Sequence, residues 1–145
     1  QYVYTLTERA ADHFPNNYQG LASGLLEQIK AQLPAAQVND ILEGVAEAMA
    51  EDAMMPDAPL ETRLDHAVAY LDQHGYTASW SQNGQGLILA ITNCPYEQVR
   101  CTSPELCAMD KRLVDSLVGV TTRRISHQIE GDEACAYLIP TQDNN

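Results

Sequence analysis

The hydrophobic period of this chain changes near Gly75, and that change restricts the possible folds more than any other feature. Before Gly75, apolar residues recur every three to four positions, the spacing that buries one face of an α-helix. This spacing predicts helices over residues 18–34 and 37–53, a third from Leu60 to Gly75, and a short one over 7–14.

After Gly75 the chain continues in short runs that favour β-structure. Residues 76–81 and 87–92 are predicted to be the two strands of a hairpin, because turn-forming residues lie between them over 83–86. Two more strands are predicted over 120–129 and 134–139, on either side of a turn at 130–132.

One more helix is predicted between the two strand pairs, over residues 104–118. Ser103 suits the N-cap, Pro104 the first helical position, and Glu105 the positive end of the helix dipole. The order of elements therefore predicts an α+β fold: a helical N-terminal half followed by a small antiparallel sheet with one inserted helix.

The length of 145 residues indicates a single domain, which we expect over residues 1–140, with a disordered polar tail over 141–145. Apolar residues make up 45% of the chain, yet no uninterrupted apolar run approaches the roughly 20 residues that cross a bilayer. We therefore expect no membrane association. The chain also lacks a secretory signal pattern at its start, which favours a cytoplasmic location.

The net charge of −12 argues against DNA binding by this chain alone, because a phosphate surface favours clustered Lys and Arg. The sequence also contains no nucleophile elbow, phosphate-binding glycine loop or His-Glu-x-x-His helix. We therefore expect that it is not an enzyme.

All four cysteines lie between residues 94 and 135 of the chain. Cys94 follows a predicted strand, Cys107 lies in the first turn of a predicted helix, and Cys135 lies just beyond a predicted turn. A thiol at a helix N-terminus ionises more readily, and thiolates are ligands for both zinc and iron–sulfur clusters. The spacing leaves two interpretations open, buried thiols that pack as small hydrophobes or metal ligands. Cys101 is a possible additional ligand.

Several short motifs together make the chain resemble the C-terminal effector region of SufR-type bacterial transcriptional repressors, which are ArsR/DeoR-like winged-helix proteins. These motifs are Tyr4-Thr5-Leu6-Thr7, the segment from Phe14 to Tyr18, Asn93-Cys94-Pro95-Tyr96, Pro104 to Cys107 and Gly131-Asp132 to Cys135. The resemblance implies an iron–sulfur cluster bound by Cys94, Cys107 and Cys135. It also implies that residues 1–6 are the remnant of a preceding wing strand, and that DNA is bound only by a winged-helix domain absent from this chain.

The hairpin around Gly131 and Cys135 is also similar to that of the 4-vinyl-reductase-type ligand-binding domain, in which nearby cysteines can hold zinc. We therefore expect the sensor domain of a transcriptional regulator with an iron–sulfur cluster or another metal. The alternative is a regulatory domain for a small apolar ligand, with structural zinc or no metal. Because the helices over 18–34 and 37–53 carry surplus apolar positions, we expect a homodimer.

Overall fold

A computed structural model describes residues 18–93, 105–126 and 134–140 of the chain. Within these ranges four helices and four strands form, and the helices largely precede an antiparallel sheet, so the predicted α+β class is confirmed. In chain order the elements are α1 (Tyr18–Gln32), α2 (Ala35–Asp52), α3 (Leu60–Gln73), β1 (Thr77–Asn83), β2 (Gly86–Asn93), α4 (Glu105–Val118), β3 (Arg123–Ser126) and β4 (Cys135–Pro140).

The chain divides into two compact units, residues 1–33 and residues 34–145. The described part of the first unit is α1, whose last turn continues through a hydrogen bond from the Leu33 N–H to the Ile29 carbonyl oxygen at 3.0 Å. On α1, Leu21 and Leu25 are more than half exposed. The predicted helix over 7–14 and the predicted tail over 141–145 lie outside the described residues.

The second unit begins with two helices, each of which directly follows a proline. Pro34 precedes α2 and Pro59 precedes α3, and both have φ near the value that the proline ring fixes. Two residues beyond the end of α3, Gly75 takes a φ of 91°. Glycine adopts this left-handed conformation without steric cost, and the chain turns there into β1.

The predicted hairpin is confirmed as β1 and β2, which pair antiparallel down to Asn83 and Gly86. The side-chain oxygen of Asn83 accepts hydrogen bonds from the backbone N–H groups of Gln85 at 2.8 Å and Gly86 at 3.1 Å. Asparagine commonly stabilises turns in this way, since its side chain replaces a backbone acceptor. The turn fixes the register of the two strands.

The sheet has the order β1-β2-β4-β3, and all of its neighbours are antiparallel. Ile91 of β2 pairs with Cys135, and Arg124 of β3 pairs with Tyr137.

The prediction that a strand starts at residue 120 was wrong. Thr122 donates from its N–H and its hydroxyl to the Asp115 carboxylate, at 3.0 and 2.6 Å, and these bonds hold the preceding residues in the turn after α4. Residues 127–129 of that predicted strand lie outside the described ranges.

The core of the second unit lies between the helices and the sheet. The helix α4 packs against α2 and α3, and α3 also packs against β1. The largest fully buried side chains are Leu64, Leu71, Leu89, Leu113, Val114, Leu117, Val118 and Tyr137. Within the described residues, no helix combines the length and the apolar character that are needed to span a membrane.

Candidate functional site

Two of the predicted metal ligands fall within the described residues, and both are in the core. Cys107 is the third residue of α4 and 6% exposed, and Cys135 is the first residue of β4 and 7% exposed. Cys94, which directly follows the last residue of β2 in the sequence, and Cys101, the possible additional ligand, lie outside the described residues.

Arg124 of β3 connects the elements that carry the two buried cysteines. Its Nη2 donates a hydrogen bond to the backbone carbonyl oxygen of Cys107 at 2.7 Å. Its guanidinium carbon lies 5.6 Å from the centre of the Tyr137 ring, a cation–π distance. Tyr137 follows Cys135 by two positions on β4, and side chains two apart on a strand lie on the same face. One guanidinium therefore links the first turn of α4 to the cysteine-bearing face of β4.

The surroundings of Arg124 are buried and partly charged. Burial raises the pKa of Tyr137 above its ordinary value, nearby Asp110 and Cys135 raise it further, and Arg124 opposes the shift. The tyrosine is therefore a neutral phenol at physiological pH. The Nε atom of Arg124 is buried, and no residue of the described ranges accepts a hydrogen bond from it. A buried guanidinium N–H of this kind bonds most strongly to an anionic acceptor.

A second polar contact in this part of the core was not predicted from the sequence. The Tyr76 hydroxyl donates to the Asp110 carboxylate at 2.8 Å, and Asp110 is only 7% exposed. The contact ties α4 to the turn between α3 and β1. The signal for it was present in the sequence, since Asp110 lies four positions after Leu106 and three before Leu113 on the inward face of α4.

Cys107 and Cys135 are residues of a type that can hold a thiophilic metal, because deprotonated cysteine binds zinc and iron–sulfur clusters. Within residues 18–93, 105–126 and 134–140 there is no group of three or more His, Cys, Asp or Glu side chains placed to hold a metal ion. A site with three cysteines therefore depends on Cys94 or Cys101, in addition to the two buried cysteines.

Comparison with protein-family models, with curated proteins and with solved structures found no match to this chain. The resemblance to SufR-type regulators therefore stays a prediction based on short motifs.

A separate cavity of about 620 Å³ lies where α3 begins, α4 ends and the strands β2 and β4 meet. Its walls are mainly aliphatic. The residues that define it include Leu60, Arg63, Leu87, Val118, Thr121 and Ile139.

Among the described residues that line this cavity, Arg63 of α3 is the charged one, and it also binds the C-terminal end of α4. Its Nε donates to the carbonyl oxygen of Val118 at 3.1 Å, and its Nη2 donates to that of Leu117 at 3.0 Å. Its Nη1 donates to the carbonyl oxygen of Pro56 at 3.2 Å. The last carbonyl groups of a helix have no partner within it, so Arg63 satisfies two of them. Sequence reasoning missed this residue, because a single arginine on a helix carries no pattern.

Proposed function

We propose that this chain is the sensor domain of a bacterial transcriptional regulator, and that it binds an iron–sulfur cluster or another metal through Cys94, Cys107 and Cys135. The observation that best supports this proposal is the burial of Cys107 and Cys135 on two elements that Arg124 joins. The two cysteines are 28 positions apart in the sequence, so the fold, rather than a local motif, associates them with the same guanidinium.

The position of Cys94 in the sequence fits the same site. It is the next residue after Asn93, the last residue of β2. In the sheet, Ile91 of β2 pairs with Cys135, so β4 begins beside the end of β2 that precedes Cys94 in the sequence. When bound, a cluster or metal ion would supply a centre that is sensitive to oxidation or to metal supply.

Arg124 favours an anionic donor set in this proposal. A guanidinium is a cationic group, and that of Arg124 has a buried Nε donor. Three thiolates carry more negative charge than a divalent cation neutralises, and a nearby guanidinium stabilises that excess through charge-assisted hydrogen bonds. Arg124 also holds the backbone of Cys107, which orients the first turn of α4.

The same contacts offer a route from the site to the helices. The helix α4 carries Cys107 and packs against α2. A movement of Cys107 relative to Cys135 would shift α4, and through it α2. Such a shift changes the equilibrium between two arrangements of the regulator. The size of the change is limited by the difference in the free energy with which the cluster or metal binds the two arrangements.

We also propose that the protein is a cytoplasmic homodimer, and that it contacts DNA through a winged-helix domain outside this chain. Ile41 and Val45 of α2 support the dimer, since they lie one turn apart and are 41% and 44% exposed. The net charge of −12 supports the proposal that DNA is bound by a domain outside this chain, because a strongly acidic surface is repelled by phosphate groups.

Anaerobic purification followed by visible spectroscopy and by analysis of iron, sulfide and zinc tests the metal proposal. We expect brown protein that contains iron and acid-labile sulfide and loses its colour in air. Colourless protein that contains zinc would support the metal site, with zinc as its cofactor in place of the iron–sulfur cluster. Protein without iron or zinc after anaerobic preparation would contradict the proposal.

A second candidate function is the binding of a small apolar ligand, with structural zinc or no metal. The aliphatic cavity of about 620 Å³ favours it, because cavities of roughly 300–1,000 Å³ with mainly apolar walls are typical of small-molecule sites. Binding there would not involve the cysteines as ligands of the small molecule.

A further inference from the structure

We propose that the cavity beside Arg63 binds a small organic acid, with the carboxylate against the Arg63 guanidinium and an aliphatic or aromatic body against Leu60, Leu87 and Ile139. Binding of an acid in this cavity does not depend on a metal centre at the cysteines. Three properties of the cavity support it: its walls, the donors of Arg63 and the balance of charge.

The walls of the cavity fit an apolar body. Leu87 and Ile139 pair with each other across β2 and β4, and they form one side of the cavity with side chains that are at most 8% exposed. Leu60 lies at the start of α3 and adds another aliphatic surface. An apolar group placed here would be removed from water, which is favourable in proportion to the area buried.

Arg63 retains hydrogen-bond donors after its contacts within the protein. A guanidinium has five N–H groups, and three of them are used by the carbonyl oxygens of Pro56, Leu117 and Val118. One N–H on Nη1 and one on Nη2 therefore remain. A carboxylate is the ligand group that uses a charged donor of this kind best.

The charge of Arg63 also favours an anion. Its partners in the described part of the chain are carbonyl oxygens, and no carboxylate there forms an ion pair with it. The C-terminal end of α4 offers only about half of a negative charge, so the guanidinium remains in excess. The chain has a net charge of −12 and repels most anions. The half-buried guanidinium of Arg63 provides a local positive charge that attracts an organic acid.

The cavity is distinct from the proposed cysteine site. Cys107 lies in the first turn of α4, whereas Val118, which lines the cavity, is the last residue of that helix. Eleven residues of helix separate them by about 16 Å along the axis. An acid in the cavity would therefore touch α4 at the end remote from Cys107.

Calorimetric titration of the whole chain with naphthalene-2-carboxylate and with its neutral analogue 2-naphthylmethanol tests this proposal. We expect the carboxylate to bind at least about tenfold more tightly than the alcohol, because a charge-assisted hydrogen bond is worth more than a neutral one. Equal affinities for the two probes, or no binding of the carboxylate, would overturn the proposal.

A cavity-filling variant identifies the site without disturbing Arg63. Thr121 is exposed at the rim of the cavity, so Thr121→Trp should fill it and abolish binding of the carboxylate. The matched control is Gln82→Trp, which adds the same ring at an exposed position of β1 and should bind like the unaltered chain. Unaltered affinity in Thr121→Trp would overturn the proposal.

Arg63→Gln should bring the affinity for the carboxylate down to that for the alcohol. Its fold must be checked by circular dichroism, because Arg63 also satisfies the end of α4. If this variant unfolds, the comparison of acid with alcohol and the Thr121→Trp variant still decide the proposal. A folded Arg63→Gln protein that keeps the preference for the acid would contradict it.

Discussion

At the scale of single residues, the buried polar contacts are the part of this core that apolar packing does not explain. Tyr76 donates to Asp110 at 2.8 Å, and the carboxylate is almost fully buried. A buried carboxylate that loses a donor is left with an unmet need for hydrogen bonds, which costs more than the bond itself contributes. The pair therefore fixes how α4 sits on the turn before β1.

Replacing Tyr76 with phenylalanine tests this contact. We expect Tyr76→Phe to lower the free energy of unfolding by about 1–3 kcal/mol, as measured by urea denaturation, because Asp110 loses a donor in a buried position. The matched control is Tyr18→Phe at a tyrosine that is 76% exposed, which should change stability by less than about 0.5 kcal/mol. Equal effects of the two substitutions would contradict the role of the pair.

Tyr137 gives the core a dependence on alkaline pH. Burial raises the pKa of Tyr137 in the folded state above the value of about 10 that tyrosine has in an unfolded chain. Above pH 10 the unfolded chain releases this proton while the folded chain retains it, so stability falls as the pH rises further. Below pH 10 the contribution of the buried phenol is fully present.

We expect Tyr137→Phe to remove this alkaline loss in the metal-free protein. Above pH 10 the unaltered chain should lose up to about 1.4 kcal/mol per pH unit more than the variant, as measured by denaturant unfolding at a series of pH values. Tyr18→Phe should behave like the unaltered chain, since Tyr18 is exposed. Identical pH profiles for the unaltered chain and Tyr137→Phe would refute the assignment.

At the scale of elements, the end of α4 depends on a glycine and an arginine from another helix. Gly119 has a φ of 87°, and its N–H donates to the Asp115 carbonyl oxygen at 2.8 Å. A Cβ atom at Gly119 would lie 2.9 Å from Nη2 of Arg63. The left-handed conformation and the close approach both require glycine here.

We expect Gly119→Ala to lower the free energy of unfolding by about 1–2 kcal/mol, because alanine is strained at this φ. The control is Gly44→Ala in α2, where a Cβ would meet nothing within 4 Å. That substitution should stabilise the protein by about 0.5–1 kcal/mol, since alanine is the better helix former. Thermal or urea unfolding of both variants measures the difference, and a Gly119→Ala protein as stable as Gly44→Ala would show that the strain is absent.

The elements themselves could be predicted from the sequence because their signals are local. The helical spacing from residue 18 to Gly75 and the Asn83 turn each act over a few residues, and the helices and the turn that they predict are confirmed. Contacts across the fold could not be predicted, because nothing near Arg124 in the sequence indicates that it lies over Tyr137 and bonds to Cys107. For the same reason the prediction of a strand from residue 120 was wrong, since the hydrogen bond from Thr122 to the Asp115 carboxylate holds that segment in a turn. Cys107 lies in the first turn of α4 and Cys135 at the start of β4, as predicted. Their burial fits packing as small hydrophobes as well as metal ligation, so metal binding by them stays a prediction.

At the scale of the whole molecule, the exposed apolar residues of α2 test the proposed dimer. We expect the unaltered chain to sediment as a dimer at micromolar concentration and Ile41→Glu to shift it to a monomer, because two glutamates would be buried across the two-fold axis. Asn39→Glu, at an exposed polar position of the same helix, is the control and should leave the dimer intact. A monomeric unaltered chain would contradict the proposal.

The central claim is that three particular cysteines hold one metal centre, and metal content per chain in single-cysteine variants tests it most directly. Each variant is prepared anaerobically and analysed for iron and zinc beside the unaltered chain. The proposed site predicts that Cys94→Ser, Cys107→Ser and Cys135→Ser each lose most of the bound metal, while Cys101→Ser retains it. Retention of metal in Cys107→Ser and Cys135→Ser, or its absence from the unaltered chain, would contradict the claim.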